Sequence, residues 1–181
     1  MSQGLLTVDP PITVTGRGRG GYLDHRANSW DRAADHVAIT KKAEYAITIL
    51  VDLILQPNES FTTAREIADR QGIPSNFVPQ IVSILSRVGW LEGMRGPGGG
   101  VRPIIDLERL TVKEVIETVE EGPIAITRCL FDDGKLCSNR PVCPLHDVWL
   151  RAQEAMLRVL EETTVGDLAK SKQQLMSKVG A

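Results

Sequence analysis

Past residue 38 the apolar residues fall into a helical rhythm, and the breaks in that rhythm are clearly marked. Tyr45, Ile49, Leu50, Leu53 and Ile54 recur at steps of three and four, which predicts a helix over about 40–55 with one apolar face. Thr40 is its N-cap, and Gln56-Pro57-Asn58 ends it, because the residue before a proline is pushed out of helical geometry. Thr63-Ala-Arg-Glu66 is a capping box, in which the threonine hydroxyl and the glutamate carboxylate satisfy each other's backbone amides. The helix it opens turns Ile67 and Ala68 inward and stops at Gly72. A third helix starts after Pro74 with Ser75 as cap, and Pro79 is tolerable near its beginning, where amides have no internal partner. Phe77, Ile81, Ile84, Leu85 and Val88 share one side of it; Asn76, Gln80, Ser83 and Arg87 share another.

The rhythm then changes. Trp90-Leu-Glu-Gly-Met94 and Val101-Arg-Pro-Ile-Ile105 are short apolar segments around Arg95-Gly-Pro-Gly-Gly-Gly100, which predicts a β-hairpin. Helical spacing returns with a second capping box at Thr111-Val-Lys-Glu114, opening a helix of about 112–120 closed by Glu120-Glu121-Gly122-Pro123. A long helix over 147–162, entered at Pro144, carries the stripe Leu145, Val148, Trp149, Ala152, Met156, Val159 and Leu160. Little else in the chain is left to cover that stripe, so a matching helix from a second copy is the economical partner. Thr164-Val-Gly-Asp167 is expected to cap one last short turn, with the end fraying from Lys170.

Two helices joined by a tight turn and followed by a hairpin make a winged helix. The fold class expected is therefore mainly α with a small β-hairpin wing: a winged helix-turn-helix plus a long C-terminal dimerisation helix. The polar stripe of the third helix suits a DNA major groove, since Asn and Gln bond adenine edges and Arg bonds guanine. Arg95 and Arg102 at the feet of the wing, the glycines Gly96, Gly98 and Gly99 between them, and Lys41 complete the expected DNA-facing set. The glycine run is not a nucleotide phosphate loop, because Val101-Arg-Pro follows it instead of Gly-Lys-Ser/Thr.

Composition narrows this reading. The net charge of −2 provides no global basic field, and residues 39–105 hold seven Lys or Arg against six Asp or Glu. DNA binding must therefore come from local arrangement. With aromatics at 4%, a stacking platform for single strands is excluded. No apolar run approaches the roughly 20 residues of a membrane helix; the longest, Ala46–Leu55, is broken by Thr48 and Asp52. The expectation is a cytoplasmic, non-membrane protein with reduced thiols. Residues 1–38, with Pro10-Pro11 and the Gly-Arg run at 16–21, lack apolar periodicity and are expected to be disordered. Other readings are an arm touching phosphates or a stretch preceding a native start at Val37.

All three cysteines fall in one stretch: Cys129, Cys137 and Cys143, followed by His146. Thiolate and imidazole are ligands for zinc, iron and iron–sulfur clusters. An odd number of thiols in a reducing compartment does not make a disulfide framework. Gaps of seven and five residues are wider than the close pairs that grip zinc and suit a loop around a larger object. Structural zinc and unliganded thiols both remain open on spacing alone. A catalytic cysteine would need a base and an orienting group; nothing beyond His146 points to one, and no enzyme is expected.

Together, Ile39-Thr-Lys-Lys-Ala-Glu-Tyr-Ala46, Glu66-Ile-Ala68, Gln71-Gly-Ile73, Leu85, Gly89, Arg95-Gly-Pro-Gly-Gly-Gly100, Glu114-Val-Ile116 and Cys143-Pro-Leu-His146-Asp-Val-Trp149 resemble the IscR/NsrR-type family of dimeric winged-helix transcription regulators with an iron–sulfur cluster. The resemblance covers about 39–169. It implies a homodimer on a roughly palindromic double-stranded operator, and a cluster held by Cys129, Cys137 and Cys143 that senses redox state, nitric oxide or iron–sulfur status. A 2Fe–2S cluster is favoured over 4Fe–4S. IscR-like members add a histidine, matched by His146; others take a carboxylate from the partner's first helix, where Glu44 stands. Trp149 after His146 favours the histidine. Val101 replaces the usual wing aromatic, and Pro79 replaces a glutamate of IscR's recognition helix. The chain then divides into a tail (1–38), a winged helix-turn-helix (39–106), a linking helix (107–128), a cluster-binding loop (129–146), a dimerisation helix with a short terminal turn (147–169) and a frayed end (170–181).

Overall fold

The computed structural model describes residues 39–57, 60–130 and 139–179. The Gly-Arg run, Val37, Cys137 and the 131–135 segment lie outside them. Six helices and one hairpin follow in order: α1 (Lys41–Ile54), α2 (Ala64–Gln71), α3 (Phe77–Arg87), β1 (Leu91–Met94), β2 (Gly100–Pro103), α4 (Val112–Glu120), α5 (Leu145–Glu162) and α6 (Val165–Val179). This is the expected winged helix-turn-helix with a long helix after it.

Local signals place most element ends. The Thr40 side chain accepts from the Ala43 amide at the start of α1. Both capping boxes form, at Thr63/Glu66 and Thr111/Glu114. Gly72 ends α2 in left-handed backbone, φ 63 and ψ 27. The expected Ser75 cap does not form. Instead the Phe77 amide donates to the Pro74 carbonyl at 2.9 Å, a turn that carries Ser75 and Asn76, and α3 starts from Asn76 with no side-chain cap bond. Packing against α1, α2 and β1 centres the buried face on Val78, Ile81 and Leu85, leaving Phe77 and Ile84 half-buried and Val88 exposed.

β1 and β2 pair antiparallel with Leu91 opposite Pro103 and Met94 opposite Gly100. Thr62 bridges to Val101 on the other side of β2, exchanging bonds of 2.9 and 2.8 Å. That bridge explains Gly100: a β-carbon there would lie 2.5 Å from the Thr62 backbone, a separation no side chain tolerates.

One core cluster joins α1, α2, α3, the wing, α4 and α6, with Ile49, Leu50, Ile67, Ile81, Leu85 and Val115 fully buried. α1 is its axis and packs on α2, α3, α4 and α6. The one fully buried acid of α1, Asp52, receives Arg70 Nη2 at 2.6 Å and Nε at 3.1 Å. Gln71 Nε2 adds a third bond at 2.5 Å. A buried charge of this kind must be paired on every side.

The end of the chain departs from expectation. Residues 165–179 form a fifteen-residue helix, not a short turn followed by a frayed tail. Tertiary contacts stabilise it. The Val112 amide donates to the Thr163 carbonyl at 2.9 Å, and the Val165 amide to Leu110 at 2.8 Å. Val165 and Ala169 enter the main core, and Lys172 donates to Gln71 Oε1 at 2.6 Å. Of α5, by contrast, no residue is buried; Leu160 alone of its expected stripe packs against the small cluster of Ala43, Val112 and Ile116. No helix is long and apolar enough to cross a membrane among the described residues.

Candidate functional site

The polar residues of α3 sit where a duplex could meet them. Asn76, Gln80, Ser83 and Arg87 are all exposed, while the opposite face of the helix fills the core. The wing stands beside it, held by contacts between α3 and β1. Arg95 is exposed at the turn, with Gly96 and Gly98 at positive φ and Gly99 buried under the turn. Arg102 is placed differently from Arg95. It pairs with Glu92 directly across the hairpin and lies 4.7 Å over the ring of Phe61. An ion pair and a cation–π contact together hold its guanidinium against the foot of the wing. Arg87 also has a partner: its Nη1 lies 3.5 Å from Glu121 Oε1.

Lys41 is exposed at the start of α1 and is bonded to Glu44. The hydrogen bond and charge of Glu44 raise the Lys41 ammonium above its ordinary pKa, so it stays protonated throughout the physiological range. Glu44 itself faces solvent in the first turn of α1.

The cysteine segment is built from short pieces. Cys129 lies in a 3-10 turn, Arg128–Leu130, and is half-buried with Thr127 Oγ1 3.6 Å from its sulfur. Cys143 caps a second 3-10 turn, Arg140–Val142, and is also half-buried. Both are free thiols. His146 stands in the first turn of α5, where its amide donates to the Cys143 carbonyl at 3.3 Å. Its Nε2 accepts from Arg140 Nε at 3.3 Å. Its Nδ1 is the one buried side-chain nitrogen or oxygen without a hydrogen-bond partner among the described residues. Such a nitrogen is costly unless something completes it. The donor set of two half-buried thiols and an unsatisfied imidazole suits a soft metal or an iron–sulfur cluster. Among the described residues, no three His, Cys, Asp or Glu gather closely enough to hold a metal; Cys137 lies outside them.

Three partners in this region escape sequence reasoning: Glu92 and Phe61 for Arg102, and Glu121 for Arg87. Glu92 could be suspected from hairpin register once the turn is placed, whereas Phe61 reaches Arg102 only because the neighbouring Thr62 bridges to Val101. The third rests on how α4 crosses the end of α3, and no local spacing announces it.

Comparison with known proteins agrees with this architecture. Residues 39–171 match the family model Rrf2, described as an iron-dependent transcriptional regulator. The chain is 30% identical over 138 residues to the HTH-type transcriptional regulator NsrR of Bacillus subtilis, covering 76% of this chain and 94% of that one. It is 32% identical over 137 residues to the regulator IscR of Xenorhabdus nematophila, covering 76% and 82%. Among solved structures, CymR, the global cysteine regulator of B. subtilis, superposes with a TM-score of 0.60 at 28% identity over 74% of this chain and 97% of that one. IscR of T. potens shares the fold, with a TM-score of 0.57 at 21% identity over 76% and 90%.

Proposed function

The chain belongs to the Rrf2 family of iron-dependent transcriptional regulators, and from that premise we propose that it is a homodimeric DNA-binding regulator whose operator affinity is set by an iron–sulfur cluster. It is a transcription regulator and not an enzyme. The observation that carries the DNA reading is the division of α3, with Val78, Ile81 and Leu85 in the core and Asn76, Gln80, Ser83 and Arg87 facing outward. Gln80 and Asn76 would read base edges from the major groove, Arg87 a guanine or a phosphate, and Arg95 with the Gly96–Gly99 turn the adjacent minor groove. Arg102 would act mainly by holding the wing to Phe61 and Glu92, and Lys41 by adding a phosphate contact. The exposed face of α5 would pair two copies and set the spacing of the two half-sites.

Cys129, Cys137, Cys143 and His146 would hold the cluster; Glu44 of a second copy is the competing fourth ligand. His146 is preferred because its half-buried ring stands one turn from Cys143 with Nδ1 unpartnered, whereas Glu44 is exposed and paired with Lys41. Ligation through Nδ1 would place the ring proton on Nε2 and release the bond from Arg140. Thiolate-bound iron and sulfide supply one-electron chemistry and reactivity toward oxygen and nitric oxide. This chain's contribution is positional. His146 and Cys143 lie at the root of α5, and Cys129 lies on the segment leaving α4, so the ligands span the elements that join DNA face and dimer face. That is the arrangement a two-state coupling needs.

Anaerobic purification with absorbance, iron and sulfide counts tests the cofactor; titration of a labelled duplex, selected from a random pool, tests DNA binding. A brown protein that binds a palindromic duplex is expected. Stoichiometric zinc in a colourless protein would replace the cluster reading with a structural metal.

A further inference from the structure

We propose that Glu121 is a positioning residue for operator binding, whose carboxylate holds the Arg87 guanidinium at the end of the recognition helix and competes with DNA for it. The inference rests on the reading of α3 as the DNA-reading helix.

Two independent observations lead to it. The first is the ion pair itself. Arg87 Nη1 and Glu121 Oε1 lie 3.5 Å apart, with side chains 66% and 67% exposed. Neither is packed in place, so the pair opens into water without a desolvation penalty. Arg87 can keep Glu121 or take a phosphate or guanine in its stead. A duplex in contact with α3 would also bring its own anions toward this carboxylate.

The second is the backbone of Glu121. It caps α4 at φ 56 and ψ 34 and is the only non-glycine residue at positive φ among the described residues. α2 ends in nearly the same geometry, at φ 63 and ψ 27, and there the residue is Gly72. The two helices share the same capping box and the same left-handed end; only one uses the residue that the geometry favours. A β-carbon in this conformation is disfavoured, and a glycine stands immediately after it at Gly122. Strain retained at one position points to a side chain with a task, and the task visible here is the bond to Arg87.

The location gives that bond a use. Glu121 begins the segment that runs through Pro123 to Cys129, and this segment is tied to α5 where the Ile126 amide donates to Gln153 Oε1 at 3.2 Å. The acid that restrains a DNA-reading arginine therefore sits at the root of the cysteine segment. Movement of that segment would change how firmly Arg87 is held.

The test uses the full chain and a duplex selected from a random pool by the wild-type protein. Glu121→Gln keeps the backbone geometry and removes the charge. It should bind the duplex roughly two- to fivefold more tightly at low salt, the scale of an exposed ion pair, with the gain shrinking as salt rises and thermal stability unchanged. Glu121→Gly should show the same gain and also melt a few degrees higher, because the backbone strain is relieved. In an Arg87→Ala background, Glu121→Gln should gain nothing. Unchanged or weaker binding by Glu121→Gln overturns the proposal, and so does a gain that persists in full without Arg87. If the wild-type chain selects no duplex, the DNA reading fails and this inference with it. If the wild type binds and Glu121→Gln matches it, this inference alone fails.

Discussion

α3 and α5 carry the same kind of amphipathic pattern and meet opposite fates. In α3, Val78, Ile81 and Leu85 are 0% exposed. In α5 no residue is buried, and Leu145, Val148 and Val159 remain 53%, 51% and 61% exposed. The period of apolar residues announces that a face needs covering; it does not say what covers it. For α3 the cover is α1, α2 and the wing of the same chain. For α5, among the described residues, α4 touches it only along one side and α6 folds back onto α1, so most of the stripe stays open. A row of exposed apolar side chains along one helix marks an interaction site, and a second copy is the proposed occupant.

The contrast can be broken at either helix. Leu85→Ala should cost about 2–5 kcal/mol of unfolding free energy, read from urea denaturation. Loss of less than about 1 kcal/mol would mean that the α3 core relaxes far more than a close-packed interior allows. The double change Val148→Glu with Val159→Glu should leave helical circular dichroism intact yet turn the protein into a monomer by light scattering, with operator binding reduced at least about tenfold through the lost second half-site. A wild-type chain that is already monomeric at micromolar concentration would end the dimer proposal.

Finer changes sharpen the same comparison on the polar faces. Arg87→Ala should weaken duplex binding by about 1–3 kcal/mol if the guanidinium reads a base, and unchanged affinity would remove Arg87 from the interface. The smallest effect expected is on the caps. The Thr63 and Thr164 amides, with their hydroxyls, lower the pKa of Glu66 and of Asp167. A carboxyl with a folded pKa below its unfolded one stabilises above the ordinary carboxylate range and loses that contribution as pH falls through the folded value. Stability should therefore decline below about pH 4, and Glu66→Gln with Asp167→Asn should flatten that part of the curve. A decline unaltered by the double change would assign it to other carboxylates.

Much of the architecture is legible in the sequence. Thr40, Thr63 and Thr111 announce helix starts, Gly72 announces a stop, and the 91–103 pattern announces the wing, because each signal acts within one turn of helix or one hairpin. The inward face of α3 includes Val78, which periodicity alone does not single out, because which edge of the apolar side turns inward is set by packing against α1, α2 and β1. The full length of α6 is not legible locally, because its own sequence, rich in Lys, Gln and Ser, offers a weak apolar face until Val165 and Ala169 find a core to enter.

What the sequence determined by itself is thus local: caps, stops, periods and the set of chemical donors at Cys129, Cys137, Cys143 and His146. What tertiary structure decided is pairing at a distance. Lys172 reaches Gln71 across 101 positions, Arg70 closes on the buried Asp52 across 18, and Glu121 meets Arg87 at the end of the recognition helix. Local motifs follow from the rise and turn of one helix, so spacing encodes them. Contacts between elements depend on how whole faces pack, and no window of sequence contains both partners.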